Sequence, residues 1–261
     1  MRFDLKRVAL AFALLSLGSL AHAAEDQFRW QGSISAGRAI EIKGVNGWIT
    51  AEPFSGSQVE VVADKQGQRS DPKTVQIQVV EHSGGVTICA VYPSDNPSRP
   101  NECKPGEGGR NNNRNNDVRV NFTIRVPAGI RFIGRTVNGE VKAEGVSGDV
   151  QAHTVNGSIH VSTAGQAQAK TVNGSITAAV GSASWNGSLE FETVNGSVTV
   201  QLPQGINADV EAQTVNGGIS TDFPLTVSGN FSGKRINGKI GQGGRVLYLK
   251  TVNGSIKIQA H

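Results

Sequence analysis

Aromatic residues make up only 5% of the 261-residue sequence. Long apolar runs are also scarce, and neither sign of charge is in large excess. After residue 23 no window keeps the apolar spacing of a helix, which argues against a helical protein. No apolar run in that part is long enough to span a bilayer, so no transmembrane anchor is expected. The formal net charge is only +4, and the sequence lacks the basic stripe of a nucleic-acid binder. We therefore expect neither a membrane-spanning nor a nucleic-acid-binding protein.

The first 23 residues have the three-part pattern of a secretory signal peptide. A basic start, MRFDLKR, precedes the apolar run VALAFALLSLGSL, and the small residues Ala21 and Ala23 form the cleavage site. We predict a signal peptide over 1–23 and a mature chain over 24–261. The protein would then be exported to the periplasm or to the extracellular surface of the cell.

Cys89 and Cys103 are the two cysteines of the chain. In an exported protein an even pair at this spacing is typical of a disulfide. A closed loop of about 15 residues contributes roughly 3 kcal/mol in the chain-entropy model. A metal or redox pair would need CxxC spacing or further ligands, which the sequence does not supply. We expect a disulfide and neither a metal nor a cofactor.

Short stretches of alternating apolar and polar residues follow one another in the mature chain. The stretches AIEIKGV, QVEVVAD and VTICAV alternate as half-buried strands do. A segment rich in Pro, Gly and Asn interrupts them at about 93–117, and we expect it to be a mobile loop. We predict one continuous β domain over 24–261. It would contain N-terminal strands with the loop insert over 24–131 and regular repeat coils over 132–261.

The sequence TVNGSI occurs three times, and similar copies recur every 16 to 22 residues after residue 132. Self-similarity at a nearly constant period indicates a stacked repeat. Asn-Gly is favoured where two successive residues need positive φ, so each copy reads as a corner of the chain. Stacked corner asparagines could also form amide ladders. The predicted structural corners are Asn138, Asn156, Asn173, Asn195, Asn216, Asn237 and Asn253.

Apolar residues flank each corner at a period of two, so every copy presents one buried face. Periodicity fits both a solenoid of parallel coils and an antiparallel meander in which each Asn-Gly is a hairpin turn. The buried columns contain Val, Ile, Ala and Thr with few aromatics, which favours a thin core. We therefore predict an all-β fold, a single-stranded β-helix-like β-solenoid. Each coil would lie on its predecessor, and the last strand, SIKIQA, would leave an open edge.

The stretch NFTIRVPAGIRFIGRTVNGEVKAEGVSGDVQAHTVNGSI resembles the DUF4097 family of adhesin-like envelope proteins. Val126, Pro127 and Gly129 match a strand end of that family, and residues 145–150 and 154–159 match its two half-repeats. The N-terminal AIEIKGVNGWITAEPFSGSQVEVVAD is similar to the family's opening segment, so the resemblance covers most of the mature chain. It implies a β-solenoid-like fold and an envelope location, and little about activity. The insert and the irregular coil after Asn173 depart from the family pattern.

A non-catalytic role is the first of two function classes that suit an exported solenoid. Flat ladders of outward side chains fit an adhesin-like structural or binding protein that contacts glycans or cell-envelope proteins. Trp48 and Trp185 adjoin Asn-Gly pairs, and an exposed tryptophan there could stack on a sugar ring.

The alternative is a carbohydrate-active β-helix enzyme, either a polysaccharide lyase or a glycoside hydrolase. Glu190 and Glu211 each precede an asparagine by five residues, and on adjacent coils they would lie about 5 Å apart, as in a retaining glycosidase. No further functional group accompanies them. His153 and His160 flank one corner and could face the same side, but they lack the further ligands that a metal site needs. We therefore expect no catalytic residues and no enzyme.

Overall fold

A computed structural model describes residues 25–183, 185–227 and 234–261. The signal peptide predicted over 1–23 lies outside the described residues. Strands and one short 3-10 helix, Pro72–Thr74, make up the regular structure of the described ranges. The N-terminal strands are β1 (Glu25–Gly32), β2 (Ala39–Lys43), β3 (Ile49–Phe54), β4 (Val59–Gln66), β5 (Gln76–His82), β6 (Gly85–Val91), β7 (Arg119–Pro127) and β8 (Arg131–Arg135). The later strands are β9 (Val141–Val146), β10 (Val150–His153), β11 (Ile159–Thr163), β12 (Ala167–Lys170), β13 (Ile176–Val180), β14 (Ser188–Glu192), β15 (Val198–Leu202), β16 (Ala208–Gln213), β17 (Ile219–Thr221), β18 (Leu225–Val227), β19 (Arg235–Ile240), β20 (Arg245–Lys250) and β21 (Ile256–Ala260). No helix within these ranges is long and apolar enough to cross a membrane.

The strands form two open sheets that face each other. The first sheet has the order β1-β4-β7-β3-β9-β11-β13-β15-β21-β17, and the second has the order β18-β19-β16-β20-β14-β12-β10-β8-β2-β6-β5. In the coils, neighbouring strands pair in parallel, as β11 does with β9 and β13. Antiparallel pairs occur toward the ends of the stack, where β1, β4 and β7 meet and where β18, β19 and β16 meet. Parallel stacking confirms the predicted β-solenoid and rules out the meander.

Each coil places one strand in each sheet, and the alternating apolar residues meet between the sheets. One column of the first sheet contains Ile49, Val141, Ile159, Ile176, Val198 and Ile256, and every member has 0% exposure. Burying a Val or Ile side chain contributes about 1.5–3 kcal/mol relative to leaving it in water. Because successive side chains of a strand point to opposite faces of the sheet, the polar residues that alternate with these apolar residues face solvent.

The stacking order departs from the order along the chain. The last coil, formed by β20 and β21, lies between the coil of β14 and β15 and the coil of β16 and β17. The prediction that SIKIQA leaves an open edge is therefore wrong. Strand β20 of the last coil pairs with β14 on one side and with β16 on the other, and the far side of β16 pairs with β19 in antiparallel fashion.

The corners are held by a ladder of asparagine side chains. From the second corner onward, each Nδ2 donates to the Oδ1 of the preceding corner at 2.7–2.9 Å. In stacking order the ladder contains Asn46, Asn138, Asn156, Asn173, Asn195, Asn253 and Asn216. The expected amide ladder is thus present, and it includes the early copy at Asn46.

Corner glycines are needed for close approach, and four of the seven, Gly139, Gly157, Gly174 and Gly217, do not have positive φ. Among the described residues, Asn115 is the one non-glycine with positive φ, so the corner asparagines do not adopt the left-handed conformation expected from the sequence. A Cβ on Gly174 would instead collide with the carbonyl oxygen of Gly157, and one on Gly157 with that of Gly139. The ladder brings the backbones so close at each corner that no side chain fits.

Threonine, not valine, turns inward at the corners. Thr171 is buried, and its Oγ1 donates to the carbonyl of Gly157 at 2.9 Å. Val172, the next residue, is 39% exposed. The same hydroxyl-to-glycine bond recurs at Thr136, Thr154, Thr193, Thr214 and Thr251.

Asn237 is not a corner, contrary to the sequence prediction. It lies inside β19 and pairs with Glu211 of the antiparallel neighbour β16. Arg235 stands where the ladder corners carry threonine, so this copy has no hydroxyl to bond a neighbouring coil. Asn46 also lacks that threonine, but it ends the ladder and has no further corner to bond.

The insert at 93–117 is joined to the second sheet by a disulfide and by charged side chains. Cys89 on β6 bonds Cys103, as predicted, with 5.6 Å between their Cα atoms. Lys43 Nζ donates to the carbonyls of Lys104, Gly106 and Gly108 at 2.9, 2.9 and 2.6 Å. These contacts fix the middle of a segment that the sequence suggested would be mobile.

Glu41 on β2 also binds the insert. The carboxylate is buried and accepts hydrogen bonds from Thr87 Oγ1 at 2.9 Å, Gly106 N at 2.9 Å and Arg135 Nε at 3.0 Å. Arg135 Nη1 also donates to Glu107 of the insert at 2.6 Å. Because a buried charge is tolerated only when it is paired and hydrogen-bonded, this network ties the insert to β2 and β8.

Candidate functional site

The first corner of the ladder, at Asn46, differs from the others at the exposed position two residues after the asparagine. Two residues after the asparagine, four of the six later corners carry serine, while the Asn138 corner has Glu140 and the Asn216 corner has Gly218. The four serines are linked in series by backbone N–H to Oγ bonds of 3.2–3.3 Å. These serines are Ser158, Ser175, Ser197 and Ser255. At the first corner this position is Trp48, and its side chain is 50% exposed.

Local structure explains why Trp48 faces solvent. Ile49, the first residue of β3, is fully buried, and alternation along the strand directs the preceding side chain outward. The backbone N–H of Trp48 donates to Asn121 Oδ1 at 3.3 Å, and Asn121 is buried on β7. The ring is therefore displayed from a fixed backbone.

Trp48 forms one wall of a groove of about 800 Å³, which we call the Trp48 groove. The polar lining side chains include Asp117, Arg119, Glu140 and Lys142. Both signs of charge are present, so the groove offers hydrogen-bond donors and acceptors beside one aromatic face. Such a combination suits a polar ligand with an apolar ring face.

Asp117 stays ionised in this groove. Hydrogen bonds from the Ser70 backbone N–H at 2.9 Å and the Arg69 backbone N–H at 3.0 Å help to lower its pKa to about 2. A carboxylate that accepts several hydrogen bonds is favoured in its charged form. Asp117 is therefore an acceptor at neutral pH and not a proton donor.

Residues 135–259 match the model of the Toastrack DUF4097 family. This part of the chain is a DUF4097 domain. This Toastrack domain begins in β8 and ends in β21, so it includes the coils of the ladder from Asn138 onward. Glu140 and Lys142 of the Trp48 groove lie within it, whereas Trp48, Asp117 and Arg119 precede it.

Two solved structures are similar to the chain over most of its length. A candidate cell adhesion protein from Clostridium sporogenes ATCC 15579 is 12% identical, with a TM-score of 0.49, over 91% of this chain and 100% of that one. A candidate adhesin from Bacteroides fragilis NCTC 9343 is 10% identical, with a TM-score of 0.34, over 90% of this chain and 97% of that one. No curated protein matches the chain.

Trp185 does not reach the surface of the Toastrack domain, contrary to the sequence prediction. Its side chain is 2% exposed and packs into the hydrophobic core. The indole Nε1 donates to the carbonyl of Val246 at 3.3 Å. Asn186, its neighbour, is not part of the asparagine ladder, so this Trp fills the interior of an irregular coil. A buried ring cannot stack on a ligand.

The predicted carboxylate pair is also separated within the Toastrack domain. Glu190 and Glu211 both pair with Tyr248 from opposite sides, because the last coil enters between their strands. A hydrogen bond from Ser188 and a 3.1 Å ion pair with Lys170 lower the pKa of Glu190. A general acid needs the opposite shift, so this part of the surface does not resemble a glycosidase centre.

The two histidines of the Asn156 corner lie in different sheets. His153 ends β10 in the second sheet, and His160 belongs to β11 in the first. The expectation that they face the same side is wrong. Within the ranges that the structure describes, no three His, Cys, Asp or Glu side chains come together as metal ligands would.

Proposed function

We propose that the protein is an exported, non-catalytic, adhesin-like protein of the cell envelope that binds carbohydrate in the Trp48 groove. The observation that carries this proposal is the half-exposed Trp48 ring, which occupies the position that serine has at four other corners and lines a groove of about 800 Å³. A sugar ring has an apolar C–H face for the indole and hydroxyls for the charged side chains around it. Arg119 and Lys142 would donate to those hydroxyls, and Glu140 would accept from them.

Two features of the chain support export. The pattern of residues 1–23 is that of a signal peptide, and the Cys89–Cys103 disulfide is of the kind that persists in oxidising compartments. Protein recovered from the periplasm or the medium should begin at Ala24 on N-terminal sequencing. Intact protein that begins at Met1 and stays in the cytoplasm would contradict this part of the proposal.

A glycan array followed by calorimetric titration tests the groove. Because aromatic anchors dominate binding energies, Trp48→Ala should weaken carbohydrate binding by about tenfold or more. Trp48→Phe should retain part of the affinity, and Val172→Ala, which trims an exposed side chain further along the ladder, should leave it unchanged. The bound glycan should be recovered uncut. Equal binding by wild type and Trp48→Ala would show that the groove is not the carbohydrate site.

A further inference from the structure

A second groove of about 800 Å³ lies beside the same corner and shares Asn46 and Asn138 with the Trp48 groove. Its floor includes Val45 and Val137, and the insert supplies Arg99, Arg110 and Arg114. We call it the arginine groove. We propose that it binds the carboxylates of an acidic carbohydrate, so that the two grooves together hold one uronic-acid polymer. This inference rests on the proposed function and names the class of glycan.

Most of the positive charge in the arginine groove is unpaired among the residues that the structure describes. Arg114 lies 3.8 Å from Asp95, and both side chains are more than half exposed, so this pair is weak. Arg99 and Arg110 have no carboxylate within 4.0 Å among the residues that the structure describes. Guanidinium groups bind carboxylates through two parallel hydrogen bonds, which makes arginine suited to this ligand.

The backbone that carries these arginines is fixed before any ligand arrives. Arg110 and Glu102 exchange two backbone hydrogen bonds of 2.9 and 3.2 Å, and the adjacent Cys103 is tied to β6 by the disulfide. Ser94 Oγ donates to the Arg99 carbonyl at 2.9 Å. Asn101 Nδ2 bridges the Tyr92 and Asn112 carbonyls at 2.9 and 2.8 Å. A fixed backbone reduces the ordering cost of binding.

The asparagine ladder adds a donor at the junction of the two grooves. Each ladder Nδ2 points toward the preceding corner, so the series ends on Asn46, whose Oδ1 accepts from Asn138. Its own Nδ2 has no acceptor within the described part of the chain. This amide lines both grooves and can bond a sugar hydroxyl or a carboxylate that crosses the corner.

Apolar contact completes the site. Val45 is 7% exposed beneath the insert, and Val137 beside it is 38% exposed. The apolar C–H face of a sugar ring could pack on these two valines, next to the three arginines. The arrangement distinguishes a sugar acid from a small free anion, which would use the arginines alone.

Polygalacturonate and its methyl ester provide the test, because they share one backbone and differ in carboxylate charge. The protein is produced from its full-length sequence in an oxidising compartment. Wild type should bind polygalacturonate about tenfold more tightly than the ester, as hydrogen bonds to charged groups imply. Its affinity for polygalacturonate should fall as salt is raised.

The triple change R99Q/R110Q/R114Q should reduce the affinity for polygalacturonate to that for the ester. The control K239Q/R245Q/K257Q removes the same charge from exposed positions in the last coils and should change it less than about twofold. If the two triple variants lost affinity for polygalacturonate equally, the proposed role of the arginine groove would be refuted. Equal binding of both polymers by wild type would also refute it. If Trp48→Ala still weakened both polymers, the proposed function would survive that result. If wild type bound neither polymer, this inference would fail, and the glycan array would then decide the broader proposal.

Discussion

Replacing Gly174 by alanine should force two stacked corners apart. The added Cβ would meet the carbonyl oxygen of Gly157 and would lie 2.8 Å from the backbone nitrogen of Ser158. Both neighbours are backbone atoms, so no side chain can rotate away. Gly174 does not have a positive φ, and the expected damage is therefore steric rather than conformational.

The size of the effect follows from the contacts that join the two corners. Four of the hydrogen bonds that connect them are Gly157 N to Asn173 O at 2.9 Å, Asn173 N to Val155 O at 2.8 Å, Asn173 Nδ2 to Asn156 Oδ1 at 2.8 Å, and Thr171 Oγ1 to Gly157 O at 2.9 Å. Loss of half of them, at about 1 kcal/mol each, adds to an overpacking cost of about 1–3 kcal/mol. We expect Gly174→Ala to lower the free energy of unfolding by about 3–5 kcal/mol.

Gly218→Ala is the matched control, because a Cβ there meets nothing within 4 Å. It should change stability by less than about 1 kcal/mol, and in the stabilising direction. Urea unfolding followed by far-UV circular dichroism measures both variants. A fluorescence transition should coincide with it if the coils unfold together. Equal stabilities for Gly174→Ala and Gly218→Ala would refute the view that corner glycines permit backbone contact.

Three further predictions concern single groups. Thr171→Val should lower the free energy of unfolding by about 1–3 kcal/mol, because it leaves the partly buried Gly157 carbonyl without its donor, whereas Thr171→Ser should lower it less. Burial, followed by the charge of Arg135, lowers the pKa of His153 from 6.5 to about 4, so stability present above pH 6.5 should be lost as pH falls toward 4. The urea midpoint of His153→Gln should therefore fall less between pH 7 and 5 than that of wild type. Cys89→Ser with Cys103→Ser should lower stability by roughly 3 kcal/mol, and thiol titration of the unfolded wild type should find no free cysteine.

Alternation along the strands was sufficient to predict the buried core columns, and the small side chains in those columns favoured a solenoid over a meander. Columns such as Val141, Ile159 and Ile176 appear in the sequence at fixed distances from the asparagine, and all three are fully buried. The order of the coils could not be predicted in the same way. Strands β15, β17 and β21 carry equivalent alternation, so any of them could follow another in the stack. In the structure β21 lies between β15 and β17, and β16 pairs with β19 on its other side, and no local pattern reveals either arrangement.

The corners were only partly predictable, because Asn-Gly also suits a hairpin turn. The threonine two residues before the asparagine is the better signal, since its hydroxyl bonds a neighbouring corner. Arg235 stands at that place before Asn237, and the copy at Asn186 likewise lacks the threonine-valine pair. Neither belongs to the ladder. A search for T-V-N-G instead of N-G would therefore have excluded Asn237 and placed Trp185 away from a corner.

The regular face of the ladder has little free hydrogen-bonding capacity for a ligand. Its asparagine amides bond one another, its threonine hydroxyls bond glycine carbonyls, and several of its serine oxygens accept from neighbouring backbone N–H groups. A polar group already satisfied within the protein gains little by exchanging that partner for a sugar hydroxyl. At Asn46 the series ends, and one amide donor, one exposed indole and three arginines adjoin the same corner. Recognition is therefore expected where the repeat stops, which differs from the sequence expectation of binding along the flat ladders.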